Sequence, residues 1–243
     1  MKKLLILPFI LACGTATADE TAYELQFHRA EEIQAAGGFT HKAAASFAYQ
    51  WDRSITLQAD TAISRFSDGT SNDSSVGFHA SYNISPELRI GAYAGLENIN
   101  FDANDYVFYG FEFDYSIESG SISVFGGQNG NDGIPVNDNV AYGAEIRIPA
   151  SDALTLVGRG LMRDNDALDV FTTIVGAGIE YELPNGVALS GELAKWDRKQ
   201  AWVAYDDGLS ISLGAKMTVD RNGILFRQRN SVTNTFGSEF TFP

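Results

Sequence analysis

One cysteine, Cys13, stands in a chain of 243 residues, and it falls within an apolar N-terminal stretch. Disulfide frameworks and paired-thiol chemistry are thereby excluded. Past that stretch, no apolar run approaches the roughly 18 residues that a membrane-spanning helix requires. Membrane insertion, if it occurs, must use strands. Basic residues are scarce: 17 Lys and Arg face 31 Asp and Glu, and no basic run is present. Such a chain is a poor partner for nucleic acid, whose phosphates demand clustered cations. Histidine is limited to His28, His41 and His79, which leaves little material for His-dependent catalysis. Disorder is excluded in turn, because 44% hydrophobic and 12% aromatic content is too rich for it.

The N-terminus explains the cysteine. Met1-Lys2-Lys3 is basic, Leu4 to Ala12 is uninterrupted apolar sequence, and Ala16-Thr17-Ala18 fits an A-x-A processing site. This pattern predicts a secretory signal peptide over residues 1–18 and a single mature domain over residues 19–243. Ile10-Leu11-Ala12-Cys13 is only a loose match to a lipoprotein site, since Leu11 fits poorly. Cleavage removes Lys2 and Lys3 but no acid, so 15 basic residues remain against 31 acidic ones, a net charge of −16.

The mature chain repeats. Tyr49, Tyr82, Tyr115, Ile148 and Tyr181 recur every 33 residues, each five residues after a small one: Ala44, Gly77, Gly110, Gly143 and Gly176. Gly214 with Val219, and Gly237 with Phe242, continue the pairing. Five residues of separation on a period-2 strand puts the two on opposite faces. Alternation runs through the intervening sequence. Leu209, Ile211, Leu213, Ala215, Met217 and Val219 alternate with Ser210, Ser212, Gly214, Lys216 and Thr218. This is the signature of strands with one apolar and one polar face, and no segment supports a helical period.

Two kinds of connection take turns along the chain. Tight ones, such as Ser85-Pro86-Glu87, Glu118-Ser119-Gly120 and Pro184-Asn185-Gly186, carry hairpin-turn residues. Trp51-Asp52-Arg53, Pro149 to Asp152 and Asp220 to Gly223 complete that set. Longer ones, rich in Asp, Asn and Gly, cover residues 29–38, 65–75, 98–105, 129–139, 163–169 and 197–207. The expected fold is all-β: a transmembrane antiparallel up-and-down β-barrel with short periplasmic turns and longer external loops. Tyr23 to Phe27 supplies a first strand and Ile224 to Arg229 a thirteenth, giving about 14 strands, with 12 as the alternative.

Orientation decides between membrane and soluble architectures. A soluble barrel buries its apolar face, whereas a membrane barrel turns it outward and lines its interior with polar groups. Export, an even strand count that leaves no edge, and a row of aromatics at one height all favour the second. Tyr49, Tyr82, Tyr115, Tyr181 and Phe242 are therefore expected to form an interfacial girdle. The polar parity then nominates pore-lining residues: Arg89, Glu112, Asp114, Glu145, Arg147, Arg159, Glu192, Lys216, Arg227, Arg229 and Glu239. In a water-filled barrel, opposed clusters of unlike charge would set up a transverse field. In a nearly filled one they would close into salt bridges. The recurring glycines share the inward parity, pointing to curvature and interior room.

Gly143-Ala144-Glu145-Ile146-Arg147-Ile148 and Gly176-Ala177-Gly178-Ile179-Glu180-Tyr181, set between alternating tight and long connections behind a signal peptide, resemble the strands of Gram-negative porins and porin-like outer-membrane barrels. The resemblance covers the mature chain. It implies location in the cell outer membrane, contact with lipid and lipopolysaccharide, and insertion by the barrel-assembly machinery. Passive diffusion of small polar solutes is the implied activity. Two departures stand out: no connection is long enough to narrow a pore as in larger trimeric porins, and Phe242 is followed by Pro243 rather than closing the chain.

The loops hold Asp68, Asp73, Asp102, Asp105, Asp132, Asp138, Asp164, Asp166, Asp169, Asp206 and Asp207. An acidic mouth raises local cation concentration, so a mild cation preference is expected. Asn129 to Asn139 lacks the spacing and bidentate Glu of a calcium loop, so no metal or cofactor site is expected. A non-conducting structural or adhesive barrel is the alternative function. An outer-membrane enzyme stands third: His28 with Glu31 or Glu32 is the one dyad available, and no nucleophile motif accompanies it. No catalytic residue is assigned.

Overall fold

The computed structural model describes residues 21–32, 39–51, 54–66, 72–99, 104–130, 139–165, 169–200, 203–219 and Leu225. The alternating segments become twelve strands: β1 (Thr21–Glu32), β2 (Phe39–Gln50), β3 (Ile55–Phe66), β4 (Asn72–Asn83), β5 (Leu88–Ile99), β6 (Asn104–Ile117), β7 (Gly120–Gly130), β8 (Asn139–Pro149), β9 (Leu154–Asn165), β10 (Val170–Glu182), β11 (Val187–Gln200) and β12 (Val203–Val219). Each pairs antiparallel with its chain neighbours. β1 also pairs with β12, from Tyr23 opposite Val219 to Glu32 opposite Ser210, so the sheet closes on itself.

The class is the expected one, and the count is the alternative: twelve strands, where fourteen had been favoured. Closure is the reason. β1 already bonds β2 and β12, and β12 already bonds β11 and β1, so no edge is left for a thirteenth or fourteenth strand. Of the segments expected there, Arg227, Arg229, Gly237, Glu239 and Phe242 lie outside the described residues.

Side-chain parity matches a membrane barrel. Phe27, Phe78, Phe111, Val175 and Leu213 point out of the wall, and Phe111 leaves 73% of its surface open. On the opposite face, Asp60, His79, Glu97, Glu112 and Glu145 are buried. Burial of charge beneath an apolar exterior inverts the soluble pattern.

Local chemistry sets the tight ends. Ser85 Oγ accepts from the Glu87 and Leu88 N–H groups, both at 3.2 Å, and Ser151 Oγ accepts from Leu154 N–H at 3.2 Å. Gly186, at φ +80, takes the left-handed position of its turn and donates to Leu183 O at 2.9 Å. The longer connections are shorter than their composition predicts. β11 reaches Gln200 and β12 starts at Val203, with Asp197 opposite Asp207 across what was expected to be a loop. A backbone ladder needs no apolar side chains, so these hairpins keep pairing past the apolar band.

The repeating glycines have a contact reason beyond curvature. Gly143 sits opposite Phe125, and a Cβ there would meet Phe125 Cε1 and Gly160 O at 2.7 Å each. Gly110 sits opposite Tyr93 in the same way. At Gly176 a Cβ would meet Glu192 Oε1 at 2.6 Å, and at Gly214 Ser190 Oγ at 2.6 Å. Each glycine lets an inward side chain of the next strand lie flat on the wall.

Two outcomes follow. Phe111→Arg, tested by denaturant unfolding in lipid vesicles, is expected to cost about 2–4 kcal/mol, the range for a cation on the lipid face near mid-bilayer; no cost would refute the outward orientation. Gly143→Val forces Phe125 off the wall and is expected to destabilise by about 1–3 kcal/mol, as overpacking does, with relief in the Gly143→Val/Phe125→Ala double variant.

Candidate functional site

The inward faces enclose a cavity of about 510 Å³. Arg89, Asp114, Arg147, Arg159, Glu192 and Lys216, all nominated from the sequence, line it. Glu24, His28, Lys42 and Glu180 join them. Strand parity put Glu24, Lys42 and Glu180 on the polar face, whereas His28 was expected only to flank the first loop.

Cations and carboxylates alternate around this wall. Arg147 on β8 reaches Glu180 on β10 (Nη2 to Oε1, 2.8 Å) and Glu145 on its own strand (Nη1 to Oε1, 3.4 Å). Lys216 Nζ on β12 lies 3.2 Å from Glu180 Oε2 and 4.0 Å from Glu24 Oε2 on β1. Thr218 Oγ1 donates to Glu24 Oε2 at 2.9 Å. Arg159 pairs with Glu192, and Arg89 Nη2 stands 3.2 Å from Asp114 Oδ2. The result is a girdle of ion pairs across β8, β10, β12 and β1. The unlike charges are interleaved, so the dipoles of neighbouring pairs largely offset one another. Among the described residues, two opposed clusters with a field between them do not form.

A second cluster sits in the wall away from the cavity. His79 on β4 stands between Asp60 on β3 (Nε2 to Oδ2, 2.7 Å) and Glu112 on β6 (Nδ1 to Oε1, 2.7 Å), with all three side chains at most 1% exposed. Gln58 Nε2 donates to Asp60 Oδ1 at 2.9 Å, and the Tyr93 ring lies 5.6 Å from the imidazole. Glu112 was nominated as pore-lining; it points inward but is occupied by His79 rather than facing the cavity. The repeat carried a signal for this pair, since His79 and Glu112 are separated by one 33-residue period and so share a height on the wall. Glu145 is likewise buried behind Arg147.

A third feature was not foreseen. Tyr93, Phe108, Phe125, Ala141, Leu161, Ile174, Ala194 and Trp196 form a buried apolar cluster on the inner face, from β5 through β11. Phe108 is 0% exposed. Its trace in the sequence is a break in alternation, as in Val107-Phe108-Tyr109, where both faces are apolar.

The aromatic row is placed as follows. Tyr82, Tyr115 and Tyr181 are exposed on the outer face near the tight-turn end, with Ile148 among them, and Tyr49 is half-buried there. Tyr115 stands opposite Leu88 and Ile122, and Tyr181 opposite Leu154 and Leu189. Of the two dyads expected, His28 with Glu31 does not assemble, and the Glu32 side chain lies outside the described residues. His28 faces the cavity, while Glu31 is exposed on the other face beside Arg29 at 3.5 Å. His41 is exposed and stacks edge-on with Phe39, their ring centroids 5.1 Å apart.

Removing one partner from a buried charged cluster leaves the others without compensation. His79→Leu is therefore expected to cost about 3–5 kcal/mol in unfolding experiments. Neutralising its partners in the same chain, Asp60→Asn with Glu112→Gln, is expected to return most of that loss.

No protein-family model matches the sequence, and no curated protein matches it. Solved structures do. The KdgM porin aligns with a TM-score of 0.59 at 9% identity, covering 80% of this chain and 98% of the porin. The NanC porin gives 0.60 at 7% identity, over 81% and 99%. An outer membrane channel from Pseudomonas putida F1 gives 0.58 at 11% identity, over 84% and 97%. At these identities the likeness is one of fold, and it spans nearly the whole length of each neighbour. The chain has the closed antiparallel β-barrel fold of outer-membrane porins and channels.

Proposed function

We propose that this protein is an outer-membrane channel through which small polar solutes diffuse passively. The observation that carries the reading is the inverted surface: an apolar exterior around a cavity walled by charged and hydroxyl side chains. Such an interior stabilises water and polar solutes in transit, and selectivity follows from the charged lining. The fold supports this reading, as does the KdgM porin having been solved in complex with disordered oligogalacturonate. Residues 1–18 act as an export signal, the barrel-assembly machinery inserts the chain, and lipid and lipopolysaccharide surround it. Tyr49, Tyr82, Tyr115 and Tyr181 serve as one interfacial girdle.

The cation preference is mild. The whole chain is acidic, and Glu24, Asp114, Glu180 and Glu192 bring carboxylates to the cavity. Each is offset there by Lys216, Arg89, Arg147 or Arg159 within ion-pair reach. The lining is therefore close to balanced, and the bias comes from the net charge of −14, or −16 after cleavage.

One observation favours the second reading, a non-conducting structural or adhesive barrel. The buried apolar cluster from Tyr93 to Trp196 occupies inner wall that a wide aqueous pore would leave wet. The enzymatic reading stays third: His28 and Glu31 lie on opposite faces, and no nucleophile motif accompanies His28.

Planar-bilayer recording under a salt gradient separates these readings, together with liposome swelling in sugars of graded size. Steady current, swelling limited to small sugars, and a reversal potential of the sign for cations are expected. Anion preference would overturn the selectivity, and a folded barrel that never conducts would overturn the channel.

A further inference from the structure

On the outer surface of the barrel, basic side chains line up across three strands. Arg29 on β1 stands opposite His41 on β2, which in turn stands opposite Arg65 on β3, and all three are exposed on the outward parity. Neighbouring strands lie about 4.8 Å apart, so the three heads span roughly 10 Å. The row is at the long-connection end, one outward-facing position above the apolar row of Phe27, Ala43 and Ile63. At that height a membrane barrel leaves hydrocarbon for the headgroups of the outer leaflet.

Two features set this row apart from a solvated rim. Its charge is barely offset: among the described residues only Glu31 reaches it, 3.5 Å from Arg29, in a chain whose net charge is −14. Lys195, outward on β11, instead has Asp197 at 3.2 Å and Asp207 at 4.0 Å. Arg29 is also held over the Phe39 ring, 4.8 Å from the centroid. The second feature lies beneath. β2 turns two alanines outward, Ala43 and Ala45, between Phe27 and Leu25 on β1 and Ile63 on β3. Small side chains between large ones leave a shallow groove running down the wall from His41, on which an acyl chain can lie.

We infer that this face binds the phosphorylated glycolipid of the outer leaflet, lipopolysaccharide. A phosphate is held by Arg29, His41 and Arg65, and an acyl chain rests on Ala43 and Ala45. The inference rests on the outer-membrane location proposed above. Guanidinium groups suit this ligand because their paired N–H donors match the geometry of phosphate oxygens. A phospholipid of the inner leaflet has its headgroup at the tight-turn end, about 25 Å of apolar band away, and cannot reach the row.

Full-length protein folded in detergent is tested by native mass spectrometry with diphosphorylated lipid A, the same lipid without its phosphates, and phosphatidylglycerol. Wild type is expected to retain lipid A at least tenfold more tightly than either of the others. Arg29→Gln/Arg65→Gln is expected to lose that margin, and Ala43→Phe to lower it several-fold with every cation in place, whereas Lys195→Gln keeps it. Heat-modified migration on gels checks that each variant is folded, and the lipid comparison on wild type stands without them. Equal retention of lipid A with and without phosphate, or by wild type and a folded double variant, overturns the site. Phosphatidylglycerol held as tightly as lipid A overturns the glycolipid as its occupant. A chain that inserts into no vesicle ends the membrane reading and the site with it, while insertion without preference for lipid A ends the site alone.

Discussion

The constraint on which this structure depends is that no backbone amide or carbonyl of the wall can go unpaired in hydrocarbon. Without water to take the place of a missing partner, each such group costs several kcal/mol, so a spanning sheet has to close. The ladder between β1 and β12 does this, across ten residue pairs from Tyr23–Val219 to Glu32–Ser210. Once it has formed, the outer surface can be apolar without aggregating edge to edge, and the inner surface is free to carry chemistry. Closure also fixes the strand count, because the ring of β1 to β12 leaves no open edge.

Inside the ring, packing and electrostatics divide the wall into regions. Between β3 and β6 the imidazole of His79 ties two buried carboxylates together, and the small polar residues around it leave little room. From β5 to β11 aromatic rings and aliphatic side chains cover the wall, and repeating glycines let Tyr93 and Phe125 lie flat. Around β8, β10, β12 and β1 the interleaved ion pairs border the open cavity. A charge in such a site is stabilised by its neighbours rather than by bulk water, and removing one exposes the others to the cost of desolvation.

Much of this was legible beforehand, and the limits have physical causes. The alternation of Leu209 to Val219 marked β12 and its outward face. Ser85, Asn185 and Gly186 marked the tight ends. Arg89, Asp114, Arg147, Arg159, Glu192 and Lys216 were placed on the inner wall by parity alone. Parity could not show that Glu112 would meet His79 while Asp114 met Arg89, although the two acids are adjacent inward positions on one strand. It also gave no warning of Trp196 or Ile174, whose inward apolar side chains are indistinguishable from a lapse in the pattern.

What the chain alone determined is whatever a strand settles within itself: its period, its two faces, and the turns that bound it. These rest on local dihedral preferences and on alternation, which need no partner. The tertiary structure decided how many strands close the ring and which inward groups share a height. Those outcomes depend on stagger and hydrogen bonding between strands that are neighbours in space. For β1 and β12 those neighbours stand nearly two hundred residues apart, as Glu24 and Thr218 do. No local pattern encodes such a contact.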